Sequence, residues 1–342
     1  MANTQPLRIA VLAGGTSRER NISLESGDAV TQALLERGHR VKQIDPALIE
    51  LTALDWSEYD VAFLALHGTF GEDGHVQQIL EDSGIPFTGS DSTVSRLAFS
   101  KSAAKERFVQ NGVPTPPYVL IHESDSATRI QQQAAAIGYP LAVKPDAQGS
   151  SLGITIVRSP EELPQALARC FHFDPFGLLE TAIDGSEWTL GWLDDTPLPL
   201  IQIETGRDFF DYTAKYEDDG TQYLFEFAVP TNVVKAIESA GRRAREALGC
   251  RGLCRVDLRV DKSGQPWVLE VNTIPGLTSH SLVPKAATRM GLSLGELCER
   301  AIQTCLDRAS ANEPLLTVHC SSSVSVRGPH DFAATGREPI SP

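Results

Sequence analysis

Apolar and polar positions alternate in short blocks along the N-terminal third of the chain. The mostly apolar run from Leu7 to Leu12 predicts a buried strand, and the amphipathic segment from Ser23 to Arg37 predicts a helix. Gly38 is placed to end that helix in the left-handed conformation. Residues 41–44 and 61–66 predict two further strands, each followed by turn residues. This order is typical of a parallel sheet with crossover helices, and hence of an α/β fold.

A break in the pattern separates this region from the rest of the chain. A helix predicted over Ser92–Gln110 ends at Asn111 and Gly112, and the proline-rich segment 113–117 cannot be helical. We therefore expect a domain boundary near residues 99–117.

The following two thirds of the chain mix strands and helices until the pattern fails. Beyond Ser310 large apolar residues are few, and Ser321–Ser323 with scattered glycine and proline predict a disordered tail. The elements predicted before the tail are strands at Leu141–Val143, Ile154–Val157 and Leu178–Glu180, helices at Pro160–Cys170, Val233–Leu248 and Ser293–Arg308, and a hairpin over Arg255–Asn272.

Composition and charge narrow the class of protein. The 342 residues suit two or three globular units, and 41% of them are hydrophobic. A formal charge of -14 disfavours nucleic acid and anionic membranes as partners. The chain has no apolar run near the ~20 residues that span a bilayer and no signal peptide, so we expect a cytoplasmic protein. The six cysteines lack a zinc-type spacing and are expected to be reduced thiols.

The predicted hairpin carries a polar face. If its turn is centred between Ser263 and Gly264, Asp257 opposes Glu270 and Arg255 opposes Asn272. These four side chains then share one face, while Val256, Leu258, Leu269 and Val271 share the core face. Two opposed carboxylates repel unless a cation lies between them, and carboxylate and amide oxygens favour a hard cation such as Mg²⁺. An ordinary solvated polar face explains the same pattern.

A lysine and a loop of small residues lie between two predicted strands. Lys144 precedes a segment that contains Gly149, Ser150 and Ser151. Glycine backbone and serine hydroxyls can approach phosphate oxygens, although the spacing is not that of a P-loop. A flexible turn is the alternative. Lys101 and Lys215 could add charge to such a phosphate site, but isolated lysines are usually solvated.

Two segments of the N-terminal region follow predicted strands. Glu19 lies after the first strand and His67 after the third, at the carboxyl ends where open α/β sheets bind ligands. The spacing near Gly14 is not the GxGxxG of a dinucleotide site, so a dehydrogenase is disfavoured. Without further information, Glu19 could simply lie at a helix start and His67 in a turn.

Five strings resemble one family in the same order along the chain: GGTSRERNISLESG, HGTFGEDG, KPDAQGSSLG, DYTAKY and LEVNTIPGLTSHSLVP. Together they resemble the D-alanine-D-alanine ligases of bacterial cell-wall synthesis, from about Arg8 to about Arg308. The resemblance implies an ATP-grasp fold of three domains with an N-terminal Rossmann-like parallel sheet. The implied boundaries are 1–98, 99–186 and 187–310, followed by a disordered tail over 311–342.

The resemblance also implies a role for each matched residue. Glu19 is expected to hold the ammonium of the first D-alanine through a network with Ser150 and Tyr216, and His67 to line the same pocket. The carboxylate of the second D-alanine is expected to bind at Ser281 and Leu282. Arg255 and the Gly276 N–H are expected to stabilise the oxyanion. The nucleotide is expected to bind through Lys101, Lys144, Ser151, Glu180, Ile183, Glu187 and Lys215, and two Mg²⁺ or Mn²⁺ ions through Asp257, Glu270 and Asn272.

The implied reaction joins two D-alanine molecules with ATP through an acyl phosphate, for peptidoglycan precursor synthesis. Such catalysis depends on charge neutralisation, positioning and exclusion of water, so the loop of Lys215 and Tyr216 is expected to be a lid. Family members usually pair through their N-terminal domains, which predicts a homodimer.

Two departures from the family and one alternative function stay open. Thr181 stands where the family often has lysine, and Leu224–Phe227 replaces a usual segment near the lid. A related ligase that takes D-lactate or D-serine as its second substrate is the nearest alternative. Tyr216 favours D-alanine. A non-catalytic relative is disfavoured because every charged catalytic position is filled.

Overall fold

The computed structural model describes residues 5–206 and 220–311, which form an α/β structure built on three sheets. The strands are β1 Arg8–Leu12, β2 Arg40–Ile44, β3 Val61–Leu64, β4 Tyr118–His122, β5 Leu141–Pro145, β6 Thr155–Val157, β7 Phe176–Thr181, β8 Gly185–Leu193, β9 Thr196–Pro197, β10 Ile201–Glu204, β11 Gln222–Leu224, β12 Leu253–Asp261 and β13 Pro266–Asn272.

Helices pack against these sheets. In chain order they are α1 Arg20–Glu36, α2 His75–Ser83, α3 Ser92–Phe99, α4 Lys101–Gln110, α5 Ala127–Ile137, α6 Leu163–Phe171, α7 Thr231–Leu248, α8 Leu282–Arg289 and α9 Leu294–Ser310, with short 3₁₀ turns at Leu51–Ala53 and Trp56–Glu58.

The first sheet has the predicted parallel arrangement, with strand order β2-β1-β3. The α1 helix begins three residues earlier than predicted, at Arg20, and Gly38 after it has a φ of 90°. One face of this sheet packs with α2 in a cluster that includes Leu12, Leu64 and Leu80, and the other face packs with the C-terminal part of the chain. Val11 and Phe63 pack in one buried cluster with Leu297 and Ile302 of α9, so the last helix returns to the first sheet.

The second and third sheets are antiparallel and lie on consecutive stretches of the chain. β4-β7-β5-β6 form the second sheet, which packs against α5 and α6. The third sheet follows the order β11-β10-β8-β12-β13, with β9 beside β8, and buries Trp188 and Trp192 against α4 and α7. Each predicted element of this region is present with ends shifted by a few residues, whereas β4, α5 and α8 were not predicted.

The helix predicted over Ser92–Gln110 is wrong as a single element. It is two helices, because Ser100 has an extended backbone and its hydroxyl caps the second helix by accepting from the Ala103 N–H. Asp146 fixes this break, since its carboxylate accepts from the Ser100 hydroxyl at 2.8 Å and from the Ser102 N–H at 2.7 Å. The break places Lys101 in the first turn of α4, beside the loop that follows β5.

One predicted side-chain direction in the hairpin is also wrong. Pairing follows the expected register at Arg255, Val256 and Asp257, and then shifts by one residue so that Leu258 pairs with Val268. A β-bulge therefore leaves Leu269 unpaired and half-buried, while Val268 is fully buried on the core face. The polar face on the far side of the bulge is unaffected.

Three calls fall on residues outside the described ranges: the roles of Lys215 and Tyr216, their loop as a lid, and the disordered tail. The domain boundaries stay a prediction. Within the described part, Cys170, Cys250, Cys254, Cys298 and Cys305 are buried free thiols, as expected. No helix in this part combines the length and apolar character that crossing a bilayer requires.

Candidate active site

The polar hairpin face is present with the predicted pairs, Arg255 opposite Asn272 and Asp257 opposite Glu270. Asp257 is held from three sides. Arg255 donates to both of its oxygens at 2.8 Å, the Asn272 amide donates at 3.1 Å, and the Thr189 hydroxyl of the neighbouring strand donates at 2.7 Å. These bonds orient the carboxylate on a rigid sheet.

This face has the donor set of a hard-cation site. Asp257 and Glu270 supply carboxylate oxygens, and Asn272 supplies an amide oxygen while its nitrogen donates to Asp257. Within the described ranges no three His, Cys, Asp or Glu side chains gather into a metal cluster. The chemistry fits Mg²⁺ or Mn²⁺ that takes its other ligands from phosphate and water.

The loop after β5 has an unusual backbone conformation beside Lys101. Ser150 and Ser151 have φ values of 48° and 57°, in the left-handed region that non-glycine residues rarely adopt. The Lys101 ammonium donates to the Gln148 carbonyl at 2.6 Å and lies 3.5 Å from Glu270 Oε2. Lys101 therefore joins the loop to the metal-type face, which brings two separately predicted parts of the site together.

Glu19 connects this loop to the N-terminal sheet. It is the residue before α1, is 6% exposed, and accepts a short hydrogen bond from the Ser150 hydroxyl. A Cβ added at Gly68 or at Gly149 would lie 2.5 Å from Glu19 Oε2, so both glycines are required for this approach. The predicted contact between Glu19 and Ser150 is present.

One cavity collects the residues predicted to bind the amino acids. Seven residues predicted to bind the amino acids or the oxyanion line it, and so does Asn272, which was predicted as a metal ligand. Four other lining residues had no predicted role: Glu72, Ile274, Pro275 and His280. The seven are Glu19, His67, Ser150, Arg255, Gly276, Ser281 and Leu282. An adjoining cavity is lined by Lys101, Gln148, Glu270 and Asn272, and Glu72 lines both. The residues predicted to bind the amino acids and the metal-type face therefore line adjoining cavities, which share Glu72 and Asn272.

The loop before α8 presents backbone groups to this cavity. The Ser281 hydroxyl accepts from the Thr278 N–H at 3.1 Å, and Ser281 precedes the first residue of α8, Leu282. Gly276 lies so close that an added Cβ would be 2.8 Å from the Ser281 hydroxyl. The first N–H groups of a helix can bind a carboxylate, and the second amino acid is predicted to bind at this helix start.

Burial sets the charge of two side chains in the cavity. Burial lowers the pKa of the His67 imidazole to about 4, and Arg255 acts in the same direction, so His67 is neutral at physiological pH. Its Nε2 lies 3.2 Å from the Ser26 hydroxyl. Burial, followed by the nearby Glu19, raises the pKa of Glu72 to about 8. At neutral pH the His67 imidazole is therefore unprotonated and the Glu72 carboxyl is mostly protonated, so neither side chain adds much charge to the pocket.

Three of the predicted nucleotide residues follow one another along β7, the link after it and β8, where the chain passes from the second sheet to the third. Ile183 is half-buried in the link between β7 and β8, and Glu187 on β8 accepts from Arg259 at 3.2 Å. Glu180 is 2% exposed and pairs with Lys144 by a short contact. It also pairs with Lys105 at 2.6 Å, a residue that the sequence analysis missed.

Lys105 is fully buried, which is rare for lysine and needs a partner. Burial lowers its pKa to about 8, against the opposing effect of the Glu180 carboxylate. Burial alone would raise the pKa of Glu180, but Lys105 and Lys144 outweigh it and hold that pKa below its usual value. In the sequence Lys105 looks like any polar helix residue, and only its position one turn after Lys101 could have marked it.

The comparisons with known proteins match these features. The family described as "D-ala D-ala ligase C-terminus" matches residues 108–303, and "D-ala D-ala ligase N-terminus" matches residues 49–90. The chain is 42% identical to the D-alanine–D-alanine ligase of Gloeobacter violaceus over 88% of this chain and 100% of that protein. It is also 42% identical to the ligase of Bordetella avium, over 85% and 92%.

Solved structures with the same fold lead to the same group. The D-alanine–D-alanine ligase of Bacillus anthracis has a TM-score of 0.78 at 35% identity, covering 90% of this chain and 100% of that one. The same enzyme complexed with ATP scores 0.77 at 31% identity, with the same coverage. VanG, a D-Ala:D-Ser ligase of Enterococcus faecalis, scores 0.74 at 29% identity, over 88% and 100%.

Three sheets in this order, matched over 90% of the chain by solved ligase structures, define a ligase of the ATP-grasp class. Within that class, the chain belongs to the D-alanine–D-alanine ligase family.

Proposed function

We propose that this protein joins two D-alanine molecules into D-alanyl-D-alanine in the cytoplasm, with ATP cleaved to ADP and phosphate. The observation that carries the proposal is one cavity that places Glu19, Arg255 and Ser281 together beside the face of Glu270 and Asn272. A carboxylate for an ammonium, a guanidinium for an oxyanion and a metal-type face for a phosphoryl group are what such a ligation needs.

Each group has a separate task in the proposed reaction. Glu19 binds the ammonium of the first D-alanine, whose carboxylate attacks the γ-phosphate and displaces ADP. The amine of the second D-alanine loses a proton and attacks the acyl phosphate, and phosphate leaves. Arg255 and the Gly276 N–H stabilise the oxyanion formed at that step.

Residues at the two ends of the cavity hold the substrates for these steps. Ser281 and the N-terminus of α8 bind the carboxylate of the second D-alanine. Lys101, Lys144 and Ser151 bind phosphates, with Glu180, Ile183 and Glu187 around the nucleoside. Two Mg²⁺ or Mn²⁺ ions on Asp257, Glu270 and Asn272 would neutralise charge on the transferring phosphoryl group.

The expected result is phosphate release that requires ATP, a divalent ion and D-alanine together. Phosphate release should fall to background when L-alanine replaces D-alanine. It should also fall to background with excess chelator, since the metal-type face then lacks its cation. Because the VanG neighbour is a D-Ala:D-Ser ligase, the assay includes D-serine and D-lactate beside D-alanine, with the dipeptide product measured by mass. Equal rates with L-alanine, or without a divalent ion, would refute the proposal. If the reaction is faster with D-serine or D-lactate as the second substrate, the proposed product changes to the one formed from that substrate.

We also infer a homodimer paired through the N-terminal region, where Leu48 is 79% exposed beside the half-exposed Ile49. Light scattering at micromolar concentration should give twice the mass of the chain. A single species with the mass of one chain would contradict the dimer without bearing on the ligase activity.

A further inference from the structure

The buried cluster of Lys105, Glu180 and Lys144 contains one more positively charged than negatively charged side chain. Lys144 and Lys105 each pair with one oxygen of the Glu180 carboxylate, and all three side chains are nine-tenths or more buried. Two ammonium groups on one carboxylate leave a net positive charge in the protein interior. A buried charge of this kind is costly unless another partner is available.

The two lysines differ in what they can reach. Lys144 is the fourth residue of β5, next to the loop of Ser150 and Ser151, and it is 8% exposed. Lys105 is 0% exposed, and its ammonium donates to the Thr115 hydroxyl at 2.6 Å. That hydroxyl in turn donates to the Val268 carbonyl of β13 at 2.8 Å. Lys144 therefore has access to a ligand, whereas Lys105 is fixed to the protein interior.

We propose that Lys105 is the permanent counter-ion of Glu180, which lets Lys144 leave that carboxylate for a nucleotide phosphate. The inference rests on the proposed function, since it assumes that the phosphates of ATP bind beside Lys144. Before nucleotide binds, Glu180 holds both lysines. When the phosphates arrive, Lys144 moves to them, and Glu180 keeps one partner, so no buried carboxylate is left without a cation. Lys105 is thus a positioning residue that acts on the nucleotide only through Glu180.

Without Lys105, Glu180 and the phosphates compete for the single cation of Lys144. The Lys105→Met variant is therefore expected to bind ADP with Mg²⁺ at least ~10-fold more weakly, because a buried carboxylate would lose its only partner on binding. The KM for D-alanine should stay within about twofold, since none of the residues proposed to bind D-alanine is changed. Calorimetric titration with ADP and Mg²⁺ measures the first quantity and steady-state kinetics the second. Lys235→Met on the exposed surface of α7 is the matched control.

A second pair of variants separates this role from a loss of packing. In the Glu180→Gln background there is no carboxylate to neutralise, so adding Lys105→Met should change ADP affinity by less than about twofold. Equal weakening in both backgrounds, or none in either, would overturn the proposal. If Lys105→Met does not fold, Thr115→Val removes the hydroxyl that fixes the ammonium and should weaken ADP binding about threefold. Unchanged affinity in Thr115→Val would then count against it.

Titration of the unmodified protein distinguishes a failure of the proposed function from a failure of the proposed role of Lys105. If it does not bind ADP with Mg²⁺, the proposed function itself fails. If it binds and Lys105→Met binds equally well, only the role of Lys105 is wrong.

Discussion

Replacing Glu270 with glutamine should lower the rate of ligation at least ~100-fold while the protein stays folded. The change keeps the size of the side chain and the strand pairing, but it removes half of the carboxylate charge on the hairpin face. If a cation binds there, the loss removes a ligand and several kcal/mol of charge stabilisation on the transferring phosphoryl group.

The effect on stability should be small for a reason visible in the site. Glu270 opposes Asp257, a repulsion that glutamine relieves, and it lies 3.5 Å from the Lys101 ammonium, an attraction that glutamine loses. These two changes offset each other to within ~1 kcal/mol, so the melting temperature should shift by only a few degrees.

A matched control is available on the same sheet. Glu204 ends β10 with an exposed side chain, and Glu204→Gln should leave both turnover and melting temperature unchanged. A folded Glu270→Gln protein with near-normal turnover would show that the face is merely a solvated strand surface, and the metal assignment would fall.

The hairpin face could be predicted because its determinants are local. Turn residues at 261–264 set the register, and alternation along a strand set the faces, so Asp257 and Glu270 were placed opposite each other correctly. The bulge at Leu269 was missed because an extra residue in one strand leaves no periodic signal. Because of the bulge, only the predicted direction of the Leu269 side chain was wrong.

Features that depend on distant parts of the chain were missed for a common reason. Ser100 breaks a helix because Asp146, on another element, accepts from its hydroxyl and from the next turn. Lys105 is buried because Glu180 and Thr115 come to it from β7 and from the link before β4. Helix periodicity describes one element at a time and cannot show such pairs. Glu19 and Ser150 were joined in advance only through the family resemblance, since 131 residues separate them.

Changing Arg255 to lysine should lower kcat by ~10²–10³-fold with little effect on the KM for ATP. Arg255 lines the amino-acid cavity and spans both oxygens of Asp257 through Nε and one terminal nitrogen, each at 2.8 Å. That grip fixes the plane of the guanidinium group, which is proposed to stabilise the oxyanion. Lysine keeps the positive charge but has neither the fork nor the reach to serve both partners.

The conservative change is chosen so that charge alone cannot explain the result. Asp257 still has a cation beside it, and it keeps its bonds from Thr189 and Asn272, so the fold should be retained. Arg289→Lys, at a side chain of α8 that is 55% exposed, is the matched control and should behave as the unmodified protein. The measurements are kcat, both KM values and the melting temperature of each variant. If Arg255→Lys keeps its kcat, the guanidinium only neutralises Asp257. If kcat falls and the KM for ATP rises equally, Arg255 serves nucleotide binding. A drop confined to kcat is the pattern expected of a group that binds the oxyanion more tightly than the substrate.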